Sequence, residues 1–264
     1  MIFRGKQIEV LPTPKGVNFL ERLTFFPGQK GTSKQIVPWA GLIGHWTGGE
    51  GASPTVIKTL KERDLSVHFI IDVDGTVIQV ADLNSRCSHA SGANDRFIGV
   101  EMVCRGFATK FDLAKALLKD PDLRTRDAID WSVDRDVYAD EIGRDRVHMA
   151  SFNPCQIDAF VWLAEALAKQ FGFPRRIPSA RCILPTKEAL AKHPLKNPLD
   201  YLVLHEEILW LPSFDRDVVW RPRNFKGVMA HFHVSSVKMD FGTAPLWKLW
   251  ELGWNPAEVV LRID

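Results

Sequence analysis

An Asp-Gly pair between two runs of β-branched and apolar residues constrains the fold of this chain more than any other feature. The runs cover residues 66–72 and 76–80, and they flank Val73, Asp74 and Gly75. Asp-Gly in this setting is a strong β-hairpin signal, because the tight turn favours residues that tolerate a positive φ. The sequence therefore predicts a hairpin, and with it a β-sheet, in the first third of the chain.

Three other short apolar segments predict further strands. They cover residues 41–46, 97–103 and 227–234, and runs of this length bounded by turn residues are typical of buried strands. The second segment contains one acidic residue, Glu101, in an otherwise apolar run. A carboxylate at such a position requires an explanation, because burying a charge without a partner is unfavourable.

Two segments carry helix start signals. Ser53-Pro54 predicts an N-cap and a first helical residue, followed by an apolar face that extends to about Arg63. Asn153 precedes a proline and has Gln156 three residues later, which predicts an amphipathic helix that ends at Gly172. A last helix is expected near residues 246–252.

Strands and helices alternate along the chain, which is typical of an α/β domain whose central sheet is flanked by helices. We expect a single domain over residues 1–264, in which two long segments are insertions. The first insertion is dense in charge, and the second is rich in proline and has a short helix near 187–193. The expected core covers about 38–104, 150–174 and 226–253, and the insertions cover about 105–149 and 175–225.

The composition excludes several classes of protein. Among 264 residues, 45% are hydrophobic and 25% are charged, as in globular domains. Lys plus Arg total 34 and Asp plus Glu total 32, so the formal charge of +2 is too small to indicate a nucleic acid partner. No apolar run is long enough for a membrane span, and the first nine residues are too polar for a secretory signal. We therefore expect a protein that is soluble and cytoplasmic as synthesised.

Four histidines lie where a predicted strand meets a loop, the place where ligands and catalytic groups are commonly presented. They are His45, His89, His231 and His233.

His231 and His233 are two residues apart, so on a strand both side chains would project from one face and could bind one metal ion together. Lys238 and Asp240 follow closely. These two residues would add a cation and a carboxylate ligand at the same strand end. The alternative is structural, with one histidine buried in a hydrogen bond and the other solvated.

Five segments, in a fixed order, carry a family resemblance. They are His-Trp-Thr at 45–47, the hairpin segment 66–75, Ser-His-Ala-Ser-Gly-Ala-Asn at 88–94, Ile-Gly-Val-Glu at 98–101 and His-Phe-His-Val-Ser-Ser-Val-Lys-Met-Asp-Phe-Gly at 231–242. Together they resemble the zinc-dependent N-acetylmuramoyl-L-alanine amidases of the type 2 amidase and peptidoglycan-recognition-protein superfamily. The resemblance implies that superfamily's α/β fold, and it does not cover the two insertions.

By position, the resemblance implies a Zn²⁺ site formed by His45, His231 and Asp240. Two histidines and a carboxylate leave a tetrahedral zinc ion one open position for water, as in catalytic zinc sites. His233 is the alternative metal ligand in place of His231. The chain also departs from the family pattern at Ala230, where a glycine is usual, and at Phe241, where a proline is usual.

The resemblance also implies roles for two further residues. Glu101 occupies the place of an acid that some family members use as the general base, and Val67 replaces the tyrosine that other members use. The chain therefore resembles the muropeptide-amidase branch more than the tyrosine-using phage amidases. Lys238 would stabilise the oxyanion. The structural alternatives are a strand carboxylate paired with an arginine and a solvated loop lysine.

The remaining predicted site residues would bind substrate or shape its groove. They are Thr47, His68, His89 and Asn94. For His68, a purely structural role is the alternative.

The resulting hypothesis is zinc-dependent hydrolysis of the amide bond between N-acetylmuramic acid and L-alanine, with peptidoglycan or a muropeptide as the partner. Two alternatives stay open: a module that binds peptidoglycan without cleaving it, and a related zinc amidase that acts on another amide. The sequence fits a cytoplasmic recycling enzyme, a phage lysin released by lysis, or an effector exported by a dedicated machine. It does not indicate an oligomeric state.

Overall fold

A computed structural model describes most of the chain outside the two expected insertions. The described residues are 1–9, 11–35, 38–49, 51–104, 107–108, 129–130, 148–150, 152–182, 209–212, 224–235 and 244–258. The strands are β1 (Ile2–Phe3), β2 (Lys6–Gln7), β3 (Phe19–Phe25), β4 (Thr32–Lys34), β5 (Gly41–Trp46), β6 (Phe69–Ile71), β7 (Val77–Ala81), β8 (Ser85–Cys87), β9 (Phe97–Met102), β10 (Phe107–Ala108), β11 (Ile129–Asp130), β12 (His148–Ala150), β13 (Arg176–Cys182), β14 (Leu209–Pro212), β15 (Gly227–Ala230) and β16 (Asn255–Glu258). The helices are α1 (Ser53–Glu62), α2 (Pro154–Phe171) and α3 (Ala244–Glu251).

The centre of the fold is a six-stranded sheet in the order β15-β5-β9-β6-β7-β3. Strands β15, β5, β9 and β6 are parallel to one another, whereas β7 runs antiparallel to β6 and pairs in parallel with β3. This mixed sheet with flanking helices confirms the predicted α/β class. Because β15, β5 and β9 are parallel, their carboxyl ends lie at the same edge.

The predicted hairpin is present as the antiparallel pair of β6 and β7, in which Ile71 lies opposite Val77. Gly75 has a φ of 82° in the turn, a conformation that residues with a Cβ rarely adopt. The strands predicted at 41–46 and 97–103 are confirmed as β5 and β9.

Helix α2 covers one face of the sheet. Its buried residues, among them Phe160, Leu163 and Leu167, join a hydrophobic core with Leu42 and Val100 of the sheet. Full burial of a side chain of this size contributes roughly 1.5–3 kcal/mol. The helix begins and ends where the sequence predicts.

The two ends of α2 show why these residues set its limits. The side-chain oxygen of Gln156 accepts a hydrogen bond from the backbone N–H of Asn153 at 3.1 Å. The Asn153 side chain donates to the carbonyl of Val73 at 2.9 Å, which ties the helix start to the hairpin turn. At the other end, Gly172 adopts a left-handed conformation with a φ of 68°, which favours glycine.

Helix α1 covers part of the opposite face, where Val56 and Leu60 pack with Ile70. The sequence prediction of Ser53 as its N-cap is wrong, because Ala52 occupies that position and Ser53 is the first helical residue. The carboxylate of Asp72 accepts the backbone N–H of Ser53 at 3.1 Å. The carboxylate of this hairpin residue therefore caps the start of α1, where an N-cap side chain usually does so.

The strand predicted at 227–234 is shorter than expected. Only Gly227–Ala230 pair with β5, and His231–Val234 form a single turn of 3₁₀ helix. The reason is visible in one contact, in which the ring of His233 accepts the backbone N–H of Ala230 at 3.0 Å.

The described parts of the two expected insertions contain β-structure. β10, β12 and β11 form a small antiparallel sheet within the first insertion. β13, at the start of the second, pairs with β14 and with β16 near the end of the chain. The short helix expected near 187–193 lies outside the described residues, and the insertion boundaries stay predictions. Within the described ranges, no helix combines the length and apolarity needed to cross a bilayer.

Candidate active site

The parallel register of the sheet brings three of the predicted site residues together. His45 of β5 lies opposite Glu101 of β9, so their side chains project from the same face. Ala230, the last residue of β15, lies opposite Gly44, which places His231 next to His45 at the end of the strands. His45, Glu101, His231 and His89 all line one cleft, and we call these four residues the strand-end cluster.

His45 and His231 face each other through their Nδ1 atoms, which lie 3.0 Å apart. Both residues are buried, with 2% and 7% of their surface exposed. The two residues are separated by 186 positions along the chain, so only the pairing of β15 with β5 brings them into contact.

His231 and His233 do not share a face, which corrects the expectation that they bind one metal ion together. On a 3₁₀ helix, residues two apart point in different directions, because each step turns the chain by about 120°. His231 points to His45, whereas the Nδ1 atom of the fully buried His233 accepts the N–H of Ala230. The geometry therefore favours His231 over His233 as a ligand, and that assignment stays a prediction.

His89 lies on the other side of His45. Its Nδ1 atom is 3.0 Å from Nε2 of His45, and its Nε2 atom is 3.0 Å from the carbonyl oxygen of Phe97. Burial, reinforced by repulsion from His45 and His68, holds the pKa of His89 well below its ordinary value. The residue is partly exposed and lines the cleft.

Asn94 shapes the loop that carries His89. Its side-chain oxygen accepts the backbone N–H groups of His89 at 2.8 Å and of Ala90 at 2.7 Å. Asn94 is not among the residues that line the cleft, so its observed contacts support loop shaping rather than contact with a ligand.

His68 does not line the cleft and is fully buried. Its Nε2 atom donates to the carbonyl of Ser85 at 2.7 Å, and its Nδ1 atom accepts the N–H of Gly99 at 3.0 Å. Burial is the main cause that lowers its pKa to about 4. Both ring nitrogens are thus used by the backbone, and this geometry favours the structural role rather than a substrate contact.

Thr47 connects the loops that follow β5 and β9. Its hydroxyl group lies 2.8 Å from the carbonyl of Gly49 and 3.1 Å from the carbonyl of Cys104, and it accepts the N–H of Cys104. Since Thr47 also lines the cleft, it positions the rim of the site through its hydroxyl group.

The cleft has a volume of about 270 Å³ and extends from the strand-end cluster along α1. Three polar residues of the α1 wall, which the sequence analysis did not single out, are Thr55, Thr59 and Arg63. Their spacing of four residues places them on one helix face. The four-residue spacing can be read from the sequence and indicates a shared helix face. It does not show which surface that face contacts, so it could not identify these residues as part of the site.

The rest of the predicted ligand set is not described. Lys238 and Asp240 lie outside the described residues. Among the residues that the structure does describe, no group of three or more His, Cys, Asp or Glu side chains is arranged to bind a metal ion.

Solved structures similar to this chain include enzymes and recognition proteins. N-acetylmuramoyl-L-alanine amidase LysC from Clostridium intestinale URNW is 14% identical, with coverage of 92% of this chain and 100% of that one and a TM-score of 0.46. The hydrolase AmiA from Staphylococcus aureus is 13% identical, with coverage of 90% and 82% and a TM-score of 0.42. Drosophila PGRP-LB is 20% identical, with coverage of 41% and 75% and a TM-score of 0.27.

Sequence comparison identifies the family of the chain, which these structural similarities of low identity do not. No curated protein sequence is detectably similar to the chain. The model of the N-acetylmuramoyl-L-alanine amidase family, however, matches residues 35–193, which are more than half of the chain. The match includes His45, His89 and Glu101 and ends before His231. The chain therefore belongs to the type 2 N-acetylmuramoyl-L-alanine amidase family.

Proposed function

We propose that this protein is a zinc-dependent hydrolase of the amide bond between N-acetylmuramic acid and L-alanine in peptidoglycan or muropeptides. The observation that carries the proposal is the pair of buried imidazoles, His45 and His231, with Nδ1 atoms 3.0 Å apart in a cleft that also contains Glu101. Family membership supports the same reaction.

The described donors fit a zinc ion. Two nitrogen ligands of one tetrahedral zinc ion lie roughly 3.3 Å apart, close to the separation of the two Nδ1 atoms. A hydrogen bond donated by His231 to His45 accounts for the same distance when no metal is bound. Imidazole nitrogen is a ligand that zinc prefers, and we propose Asp240 as the third ligand.

When bound, zinc would polarise the scissile carbonyl group and lower the pKa of water towards about 7. The protein has to supply a proton acceptor on the same side of the sheet. We propose Glu101 for this role, and its position opposite His45 in the register of β5 and β9 supports the proposal.

In the proposed reaction, water adds to the lactyl carbonyl carbon while the Glu101 carboxylate accepts a proton from it. As the C–N bond breaks, Glu101 returns that proton to the amine of L-alanine, so that a carboxylic acid and a free amine are formed. Lys238 is the proposed cation that stabilises the negative charge on the carbonyl oxygen during these steps.

The shape of the cleft supports a substrate larger than a single amide. The wall formed by α1 offers the hydroxyl groups of Thr55 and Thr59 and the guanidinium group of Arg63 along the cleft. Hydroxyl and guanidinium groups can donate hydrogen bonds to the carbonyl and carboxylate oxygens of a peptide. We propose that the stem peptide lies along this wall.

The proposal is tested with purified protein and two substrates, intact sacculi and soluble anhydromuropeptides. Release of peptide with a new N-terminal L-alanine is measured before chelation, after chelation and after zinc is restored. We expect release to disappear on chelation and to return with zinc. Undiminished release after complete metal removal would contradict the proposal. Binding of muropeptide with neither bound zinc nor release would instead identify a recognition module.

A further inference from the structure

Three sets of contacts, from the loop between β8 and β9 and from β9 itself, hold His89 in position. Asn94 accepts two backbone N–H groups at the start of the loop, including that of His89 itself. The carbonyl of Phe97 lies 3.0 Å from Nε2 of the ring. The third contact is with β9, where the ring lies directly over Gly99.

Gly99 is required by this arrangement because there is no room for a side chain. A methyl group at this position would lie 2.6 Å from Cγ and 2.7 Å from Cδ2 of His89. Such distances are well below van der Waals contact, so any larger residue would push the ring away from the strand. The sheet itself therefore helps to set the position of the His89 ring.

The contacts of His89 determine which of its nitrogens carries the proton. A carbonyl oxygen can only accept, so Nε2 of His89 donates to Phe97. In the neutral ring, Nδ1 then carries the lone pair and accepts a proton from its neighbour, Nε2 of His45, at 3.0 Å. A neutral His45 protonated on Nε2 carries its own lone pair on Nδ1, the atom that faces His231.

We propose that His89 is a positioning residue that selects the Nε2–H tautomer of His45 and so presents the Nδ1 lone pair of His45 as a metal ligand. The inference rests on the proposed function, since a metal ion is what uses that lone pair. It gives His89 a role different from the substrate contact expected from the sequence. Histidine ligands of metal ions generally donate their second N–H to such a partner, and loss of the partner weakens metal binding by about 10–100-fold.

The first test needs no substitution. NMR of the ¹⁵N-labelled, metal-free protein at mildly alkaline pH, where the imidazole rings are neutral, reports the tautomer of each histidine. We expect His45 and His89 both to carry the proton on Nε2. A dominant Nδ1–H tautomer of His45 would overturn the inference, whether or not the protein binds zinc.

The second test measures zinc affinity by competition with a chelator in three variants. His89→Ala removes the acceptor for His45, and Gly99→Ala keeps the imidazole but displaces it. We expect zinc affinity to fall by about 10–100-fold in His89→Ala and to fall in Gly99→Ala as well. Asn153→Ala, at the start of α2 and away from the cleft, is the control for a general loss of stability.

The outcomes separate the inference from a general structural effect. Unchanged zinc affinity in His89→Ala, or an equal loss in Asn153→Ala, would overturn it. If Gly99→Ala does not fold, His89→Ala and the tautomer measurement still show whether His89 sets the tautomer of His45 and supports zinc binding. If the wild-type protein binds no zinc, the proposed function fails, and the tautomer of His45 in His89→Ala still shows whether His89 selects it.

Discussion

Four of the five described histidines near the site fall into two groups that burial alone does not distinguish, and the fifth, His89, bonds both to the backbone and to His45. His68 and His233 are fully buried, and each has a ring nitrogen bonded to the backbone. His45 and His231 are nearly as buried, but their rings face other histidines. The partners of the ring nitrogens therefore separate the two groups. Nitrogens of His68 and His233 pair with the backbone and brace the fold, whereas those of His45 and His231 face each other in the cleft and are the proposed ligands.

The largest expected difference between the two groups is in metal binding. His231→Ala removes one of the two proposed ligands that the structure describes, and it should abolish stoichiometric zinc binding and reduce turnover to the level of the chelated protein. His233→Ala should keep close to one zinc equivalent and instead lower the free energy of unfolding by about 1–3 kcal/mol, because the N–H of Ala230 loses its acceptor. Metal analysis and denaturant unfolding of both variants check this, and the reverse pattern would show that the two roles are exchanged.

A substitution of Glu101 tests whether the strand-end cluster transfers a proton in addition to the proposed metal binding. Glu101→Gln keeps the size and most of the hydrogen bonding of the side chain but cannot accept a proton, so turnover should fall by about 10²–10⁴-fold. Peptide release is measured at matched zinc occupancy, with melting temperatures alongside. Near-wild-type turnover at full zinc occupancy would reassign the proton acceptor, and a change in melting temperature alone would indicate a structural carboxylate.

His68 should reveal its structural role through the pH dependence of stability. Burial lowers its folded-state pKa from 6.5 to about 4, so between these values the unfolded chain binds a proton that the folded protein does not. The associated stability is fully present above pH 6.5 and is lost as the pH falls through the folded-state pKa. A shift of this size corresponds to about 3 kcal/mol.

The matching variant is His68→Asn, which cannot titrate in this range. Its free energy of unfolding should be lower than that of the wild type at neutral pH and should change less with acidification. Urea unfolding at a series of pH values measures both. Parallel pH profiles for the two proteins would exclude His68 as the source of the acid sensitivity.

The smallest expected effect comes from a residue outside both groups. Asn153→Ala removes the hydrogen bond from the start of α2 to the carbonyl of Val73 and should lower the free energy of unfolding by about 1 kcal/mol. Zinc affinity should stay at the wild-type value. A change in zinc affinity in Asn153→Ala would mean that stability and metal binding are coupled across the fold. The zinc affinities of the histidine variants would then have to be corrected for their loss of stability.

The sequence predicted elements that depend on local chemistry. The Asp74-Gly75 turn, the apolar run of β5 and the terminal residues of α2 act within a few residues of the chain, so their structures follow from short-range patterns. The family resemblance predicted that His45, Glu101 and His231 belong to one site. The register of the sheet explains why these residues lie close together.

Two of the failures of prediction involve contacts between distant parts of the chain, and one involves a local turn. Asp72 replaces Ser53 in capping α1, although the two are 19 residues apart. The orientation of His231 depends on a 3₁₀ turn that the bond between His233 and Ala230 stabilises. The relation of His89 to His45 spans 44 residues and requires an absent side chain at Gly99. No pattern of local spacing predicts the contacts of Asp72 with Ser53 or of His89 with His45.

The position of β15 at the edge of the sheet has a consequence for biosynthesis. His231 follows the strand that pairs with β5, while β5, β9, β6 and β7 are all complete by residue 102. During translation, the emerging chain can form these four strands long before the ribosome adds His231, the second proposed histidine ligand. We therefore expect the ability to bind zinc tightly to appear only after β15 docks on β5, so that metal uptake would report the docking of β15 rather than the folding of the earlier strands.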